Sequence, residues 1–384
     1  MLVGATASAQ QDDPRWTRAT QHMQQGAPAA ALPDLEALVR AYPAEVTYRL
    51  ELALALFRLE RDRRAAYHFK QAQGARLSAQ RAAAVRDYLA RIDARKRVHL
   101  RFSIAAVPAS NAGKRTSANS VTAAGLTIPL EDDQRAQSAT GLEIAGGVTW
   151  LPRLTPRLQA SLSLDTLIRH YDEKPLRELH LTGRAGLRFA LRDSTFIEGG
   201  VLAGRQFLGE DAYADRRGVY GAYLTPLGGR AYGRLGVQHY RETYLDFTGA
   251  TGDRTLVDAA VNYALGPRTL LRFSGYVQRT DARSDLQSGW KQGVSAGMTY
   301  AFDGGLVTLA DLSLARDKRD GVGAITGVAR RDITLGVSAQ AYHSTIRVGP
   351  FTPVLKLGWE DNRSNREINS YSNTSISIGL RSVF

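Results

Sequence analysis

Residues 179–189 read LHLTGRAGLRF, with Leu179, Leu181, Ala185, Leu187 and Phe189 alternating with His180, Thr182, Arg184 and Arg188. A repeat of two puts the two sets on opposite faces of a β-sheet, one apolar and one polar. The same pattern recurs at 269–278, where Leu271, Phe273 and Val277 alternate with Arg272, Ser274 and Gln278. It recurs again in the closing stretch 371–384, where Ile376, Ile378, Leu380 and Phe384 alternate with Ser375, Ser377 and Arg381.

A soluble sandwich also alternates, so the connections have to decide. Strands are predicted near 98–107, 139–150, 156–168, 177–190, 195–207, 218–226, 230–243, 255–264, 269–279, 291–301, 306–315, 330–341, 351–361 and 371–384, fourteen in all. The gaps after even strands are mostly short: Leu191–Ser194, Leu227–Gly229, Leu265–Arg268 and Phe302–Gly305. Those after odd strands are mostly longer and polar: Pro108–Ser138, Leu208–Arg217, Thr280–Trp290 and Arg316–Ala329. Short turns at one end and long loops at the other are the pattern of an outer-membrane barrel, whose tilted strands need roughly 9–11 residues to cross the apolar layer. Trp150, Trp290 and Trp359 fall near strand ends, where an interfacial aromatic girdle belongs. An even strand count returns both barrel termini to the short-turn side, the periplasm. Phe384, an aromatic closing an alternating strand, resembles the signal read by the barrel assembly machinery, which is thereby an expected partner alongside outer-membrane lipid. The predicted fold is a short N-terminal helical domain at 13–97 followed by a fourteen-stranded antiparallel membrane β-barrel at 98–384, expected to be monomeric.

Residues 13–97 are rich in Ala, Leu, Arg, Glu and Gln, all strong helix formers. Helices are predicted near 14–25, 29–41, 44–59, 62–73 and 78–96, and the third carries Leu50, Ala53, Leu54 and Phe57 on one face. Ala31 and Leu35 recur as Ala65 and Phe69, 34 residues on, which is the tetratricopeptide period. The small residue lets a neighbouring helix approach and the large one fills the gap, so these four are candidate packing positions of a TPR-like domain. A plain helical bundle accounts for the same positions. Ahead of it, Ala7-Ser8-Ala9 before Gln10 looks like the end of a secretory signal whose charged and apolar regions are missing; residues 1–12 are an export-signal remnant or a disordered terminus.

Composition narrows the chemistry. With no cysteine in 384 residues, thiol catalysis, Cys-ligated metal and disulfides are excluded. The formal charge of +13 comes mostly from Arg spread along the chain, without the long basic block of a nucleic-acid binder. No run of 18 apolar residues makes a transmembrane helix, which leaves barrel strands untouched. Gly293-Val294-Ser295-Ala296-Gly297 matches the nucleophile-elbow pattern but lies inside an alternating strand with no helix after it. Gly321, Gly323 and Gly327 lie between two strands without the βαβ context of a dinucleotide loop, and read as a flexible external loop. Glu131, Asp132 and Asp133 lack calcium-ligand spacing, and the seven His residues contain no His-x-x-x-His pair. No catalytic residue, metal or cofactor is expected, so the chain reads as a non-enzyme. Arg184, Arg188, Arg234 and Arg272 fall on the polar phase and are candidate lumen-facing bases. Two readings of them stay open: structural pairing with lumenal acids, or an electropositive passage.

The chain resembles the surface lipoprotein assembly modulator family. The resemblance is carried by Arg331-Asp332-Ile333-Thr334-Leu335, Gly349-Pro350-Phe351-Thr352-Pro353, Asp361-Asn362-Arg363-Ser364-Asn365, Tyr371 and Phe384, together with the order of the two domains. It implies a periplasmic tetratricopeptide domain and an outer-membrane barrel that moves specific client lipoproteins, or secreted haem- or metal-acquisition proteins, to the surface of a Gram-negative cell. The Asn362–Asn365 element marks kinship and is given no role. Alternatives are a diffusion channel or polysaccharide-export porin with a helical periplasmic domain and, without a credible Ser/His constellation, a barrel enzyme.

Overall fold

The computed structural model describes residues 13–73, 77–123, 126–192, 194–324 and 326–383. The segment read as an export-signal remnant and the closing Phe384 lie outside the described residues. The chain divides into two compact units that meet between Lys96 and Arg97.

The first unit is helical: α1 (Pro14–Gln24), α2 (Pro28–Ala41), α3 (Val46–Arg58), α4 (Asp62–Gln73) and α5 (Ala79–Arg95). Local chemistry sets the boundaries. The Asp13 carboxylate accepts from the Arg15 N–H at 2.9 Å at the start of α1, with Pro14 in the first turn, where no N–H is needed. Glu45 caps α3 in the same way through Thr47 N–H at 3.0 Å. Gly26 supplies the positive φ, +72°, that follows α1. Ala31, Leu35, Ala65 and Phe69 are all buried in one apolar cluster with Leu52, Leu56 and Ile92. Phe69 stacks on Tyr88 with ring centroids 5.2 Å apart.

The second unit is a barrel of fourteen antiparallel strands. They are β1 (Val98–Ala109), β4 (Ala139–Trp150), β5 (Leu158–His170), β6 (Glu178–Arg192), β7 (Thr195–Leu208), β8 (Asp211–Pro226), β9 (Ala231–Tyr244), β10 (Gly252–Ala264), β11 (Thr269–Ala282), β12 (Gly289–Ala301), β13 (Leu306–Val322), β14 (Ala329–His343), β15 (Thr352–Ser364) and β16 (Tyr371–Val383). A small hairpin, β2 (Ser120–Ala123) and β3 (Leu126–Pro129), interrupts the loop after β1. Each barrel strand pairs with its neighbours in sequence, and β1 closes on β16 with Arg101 opposite Val383 and Ala106 opposite Ile378.

Burial is inverted relative to a water-soluble fold. Leu187, Phe189, Ile197, Val201, Leu235 and Phe273 face outward and exposed, and Val294 and Ile378 keep 62% and 63% of their surface uncovered. Each such side chain forfeits about 1.5–3 kcal/mol if left in water, so the belt they form has to be covered by hydrocarbon. The small and polar alternates line the interior.

The expected loop asymmetry is corrected in part. The gap predicted at Leu208–Arg217 is a turn at Gly209 and Glu210, and β8 begins at Asp211. Gly209, at φ +67°, makes that turn without steric cost. Residues 211–217 are polar because the strand runs on past the apolar belt, where both faces meet water; Arg205 Nε reaches Asp215 Oδ1 across β7 and β8 at 2.6 Å. For the same reason β13 continues to Val322 and has 17 residues, well past the span needed for hydrocarbon. The long loop of the barrel is 110–138.

One pH dependence follows from the helical unit. His68 on α4 has a buried Nδ1 without a hydrogen-bond partner. Burial pushes its pKa below 6.5, and Arg49 and Arg64 push it the same way. The folded state therefore binds this proton less readily than the unfolded chain, and the stability it contributes is present above pH 6.5 and lost as pH falls through the lowered value. Thermal melts of the full chain followed by helical circular dichroism should fall from pH 7.5 to pH 5 more steeply than those of His68→Gln. Burial raises Glu51 and gives it the opposite slope, which is common to both proteins. Parallel melting curves would refute the assignment.

Candidate functional site

The site is the lumen, built by the inward alternates of every strand. Several inward charges are met by the opposite sign on a nearby strand. On β4 to β6, Arg169 donates to Glu143 at 3.1 Å and to Glu178 at 2.9 Å. Asp165 on β5 accepts from Arg101 on β1 at 2.5 Å and has Arg184 at 4.0 Å. Glu198 on β7 accepts from Arg188 at 2.6 Å, from Ser161 at 2.9 Å and from Tyr220 at 3.2 Å. Arg234 pairs with Asp258 across β9 and β10, and Arg272 donates to Asn262 at 3.3 Å. The four arginines singled out in the sequence thus sit on three strands, Arg184 and Arg188 on β6, Arg234 on β9 and Arg272 on β11, each beside its own partner, and do not converge on one site.

An enclosed polar group forms a knot on β8 to β11 near the loop end. Glu242, 4% exposed, accepts from Arg216 at 2.6 Å, from Tyr244 at 3.1 Å and from Arg254. Arg254 also donates to Thr280 at 3.0 Å. A buried carboxylate flanked by two guanidiniums and a phenol has its lone pairs met, which is the condition for keeping it ionised away from water.

Loop 110–138 folds back over this interior. Asn111, 2% exposed, donates its main-chain N–H to Asn373 Oδ1 at 2.9 Å, and its side-chain amide donates to Ser372 O at 3.1 Å and Arg115 O at 2.7 Å. Lys114 Nζ reaches Glu360 Oε1 on β15 at 2.8 Å, and the Tyr371 hydroxyl donates to the same oxygen at 2.5 Å. Segment 112–115 then forms one wall of a lumenal cavity of about 580 Å³, faced by Asp311, Ser338, Lys356 and Glu360 on the far strands and by Glu143 and Arg169 on the near ones. The mouth is therefore narrowed by a short segment outside the barrel strands, held mostly by polar contacts. No alternation or motif in the sequence marks this contact, because its residues come from a loop and a wall 246 positions apart.

The motifs with a chemical appearance take structural places. Ser295 lies within β12, its hydroxyl 2.6 Å from that of Ser274, and the strand runs on through it. Gly321 is the next-to-last residue of β13, and Gly327 N–H bonds Gly323 O at 2.8 Å between β13 and β14. Asp132 pairs with Arg135 within the loop after β3. Among the described residues no three His, Asp or Glu side chains cluster as metal ligands. The Asn362–Asn365 element, given no role in the sequence, laces the last loop to the wall. Asn362 accepts from Thr334 Oγ1 at 2.7 Å and donates to Asn369 O at 2.7 Å. Asn365 accepts from Arg331 N–H and donates to Ala329 O, both at 2.8 Å.

Residues 100–384 match the family model described as surface lipoprotein assembly modifier. No curated protein sequence matches the chain. Among solved structures, it is similar to OpdK of Pseudomonas aeruginosa crystallised with vanillate, at 11% identity and TM-score 0.40, over 75% of this chain and 99% of that one. It is similar to the CymD monoaromatic hydrocarbon channel at 9% identity and TM-score 0.42, over 80% and 93%. It is also similar to the outer membrane channel DcaP of Acinetobacter baumannii, at 7% identity and TM-score 0.46, over 75% and 96%.

Two substitutions probe this geometry. Asn362→Ala leaves the half-buried Thr334 hydroxyl and Asn369 carbonyl without this partner and should destabilise the barrel by about 1–3 kcal/mol, read as a lower urea midpoint for the heat-modifiable folded band. An unchanged midpoint would show that the element is dispensable. Lys114→Ala removes an ion pair that is partly exposed, worth about 0.2–1 kcal/mol, so the released loop should become about 1.4- to 5-fold more populated. Planar-bilayer recordings should show more frequent openings, with Arg135→Ala in the same loop as control; identical traces for all three proteins would dismiss the latch.

Proposed function

Because the chain belongs to the surface lipoprotein assembly modifier family, we propose that this outer-membrane β-barrel is a translocator that delivers specific client proteins, surface lipoproteins or secreted haem- or metal-acquisition proteins, across the outer membrane. In this reading the loop end of the barrel faces outward and the helical unit lies in the periplasm, where its TPR-like packing, with Ala31, Leu35, Ala65 and Phe69 in the core, presents a surface to the client. The terminal aromatic at Phe384 addresses the barrel to the assembly machinery.

The observation that carries the reading is the latched loop. A steady diffusion pore is served by a fixed constriction. Here the narrowing segment is tied to the wall by one ion pair, one cation–π contact of Lys114 with Tyr371 and a few amide bonds, contacts that a passing chain can break and remake. Arg184, Arg188, Arg234 and Arg272 are structural in this account, each neutralised or hydrogen-bonded by a side chain of a neighbouring strand.

The natural absence of cysteine makes the test clean. Lys114→Cys with Glu360→Cys, bridged in cells by a reducible bifunctional thiol reagent, fixes the loop across the mouth. Surface exposure of the client lipoprotein, scored by protease access on intact cells, should be lost on bridging and restored by reductant, with total client unchanged. Undiminished display in the bridged cells, or in cells lacking the chain altogether, would sink the translocator reading. A large, steady, ion-selective conductance that bridging leaves intact would favour a diffusion channel.

A further inference from the structure

The outer face of the barrel carries a groove that no role in transport requires. Ala259 on β10 and Gly275 on β11 lie opposite each other, and Gly275 lies opposite Val294 on β12, which faces Leu314 on β13. All four point outward. The two small residues leave a channel between Val257, Val277, Val294 and Leu314, an almost wholly apolar depression of about 580 Å³. Its upper end is closed by Arg316.

Directly above it the outer face turns basic. Lys318 stands opposite Arg331 across β13 and β14, and Arg316 lies in the same row as Ile333 and Arg363. Like charges placed directly across a ladder repel. The acids interleaved with them in sequence offer no relief: Asp317 and Asp332 point inward, where they pair with Arg319 and Arg330 at 3.0 Å and 2.5 Å. Arg363 alone has an outward acid, Asp361 at 3.1 Å. Arg316, Lys318 and Arg331 are exposed, and among the described residues no carboxylate pairs with them. Three uncompensated cations at the upper border of the apolar belt, over a groove of acyl-chain character, call for one molecule with an anionic head and a hydrocarbon tail.

We propose that this surface is a binding site for a phosphorylated glycolipid of the outer leaflet, of the lipid A class, with a phosphate held by Arg316, Lys318 and Arg331 and an acyl chain laid in the groove over Ala259 and Gly275. The assignment of leaflet rests on the orientation proposed above, with the loops outward.

The test uses the full chain purified in detergent and titrated with diphosphorylated lipid A, its dephosphorylated form and phosphatidylglycerol, binding being read by native mass spectrometry. The triple variant Arg316→Gln, Lys318→Gln, Arg331→Gln should bind diphosphorylated lipid A about tenfold or more weakly, and wild type should bind the dephosphorylated form as weakly. Gly275→Leu fills the groove from outside; its Cβ would meet only ordinary contacts, at 3.4 Å from Gly293 O and 3.7 Å from Val294, so the barrel accommodates it. It should weaken lipid A binding while leaving the melting temperature unchanged. Equal affinity of wild type and the triple variant, or of the two lipid A forms, overturns the site; phosphatidylglycerol binding as tightly overturns the choice of glycolipid. Orientation is read separately. Ser117→Cys in loop 110–138 should react with a membrane-impermeant maleimide on intact cells, and failure to react there, with reaction after lysis, overturns the orientation without touching the lipid titrations.

Discussion

Every strand of this barrel crosses a layer that offers its backbone no hydrogen-bond partner. An N–H or C=O left alone in hydrocarbon costs several kcal/mol, so the sheet has to end on itself. The β1–β16 ladder meets that demand, with seven residue pairs between Arg101 and Ala109 on one strand and Ser375 and Val383 on the other. Once the ladder is closed, the two faces of each strand meet different media, and the rest of the chemistry follows: outward Leu, Val, Ile and Phe, inward Arg, Glu, Ser and Gly, and a polar lumen whose charges are settled strand by strand.

The parts of the fold legible in sequence are those where the two media differ. Between Leu179 and Phe189 one face meets lipid and the other water, so the residues alternate and the strand is plain. Between Asp211 and Arg217, and between Arg316 and Val322, both faces meet water, the alternation vanishes, and strand looks like loop. The five helices are readable for a related reason, since their dry cluster imposes a helical stripe.

The lumen was less accessible to reading. Strand parity gives the side on which Arg184, Arg188, Arg234 and Arg272 project, but their partners lie on neighbouring strands, and register is set by the whole closed sheet. The contact of Lys114 with Glu360 joins a loop to a distant wall and has no periodic signature. The outer groove is hidden differently: Ala259 and Gly275 look like weak strand positions in sequence, and only their juxtaposition across the ladder turns two missing side chains into a cavity. Asn362 and Asn365 stood out by resemblance alone, and their bonds to β14 and the last loop supply a physical reason for that pattern.

The seam also fixes an order of events. Apart from β1 and β4, neighbouring strands elsewhere in the barrel are joined by short connections, and all of them can pair as soon as both are present, but Arg101 meets Val383 only when all the chain between them has been made. Until β16 arrives, β1 is an open edge able to recruit any free strand. Loop-closure entropy over so long a separation makes that last step slow. Newly made chain must therefore be shielded from its fellows for the whole interval, and a chain interrupted anywhere before β16 has an unpaired edge at each end, a recipe for joining other molecules in place of itself.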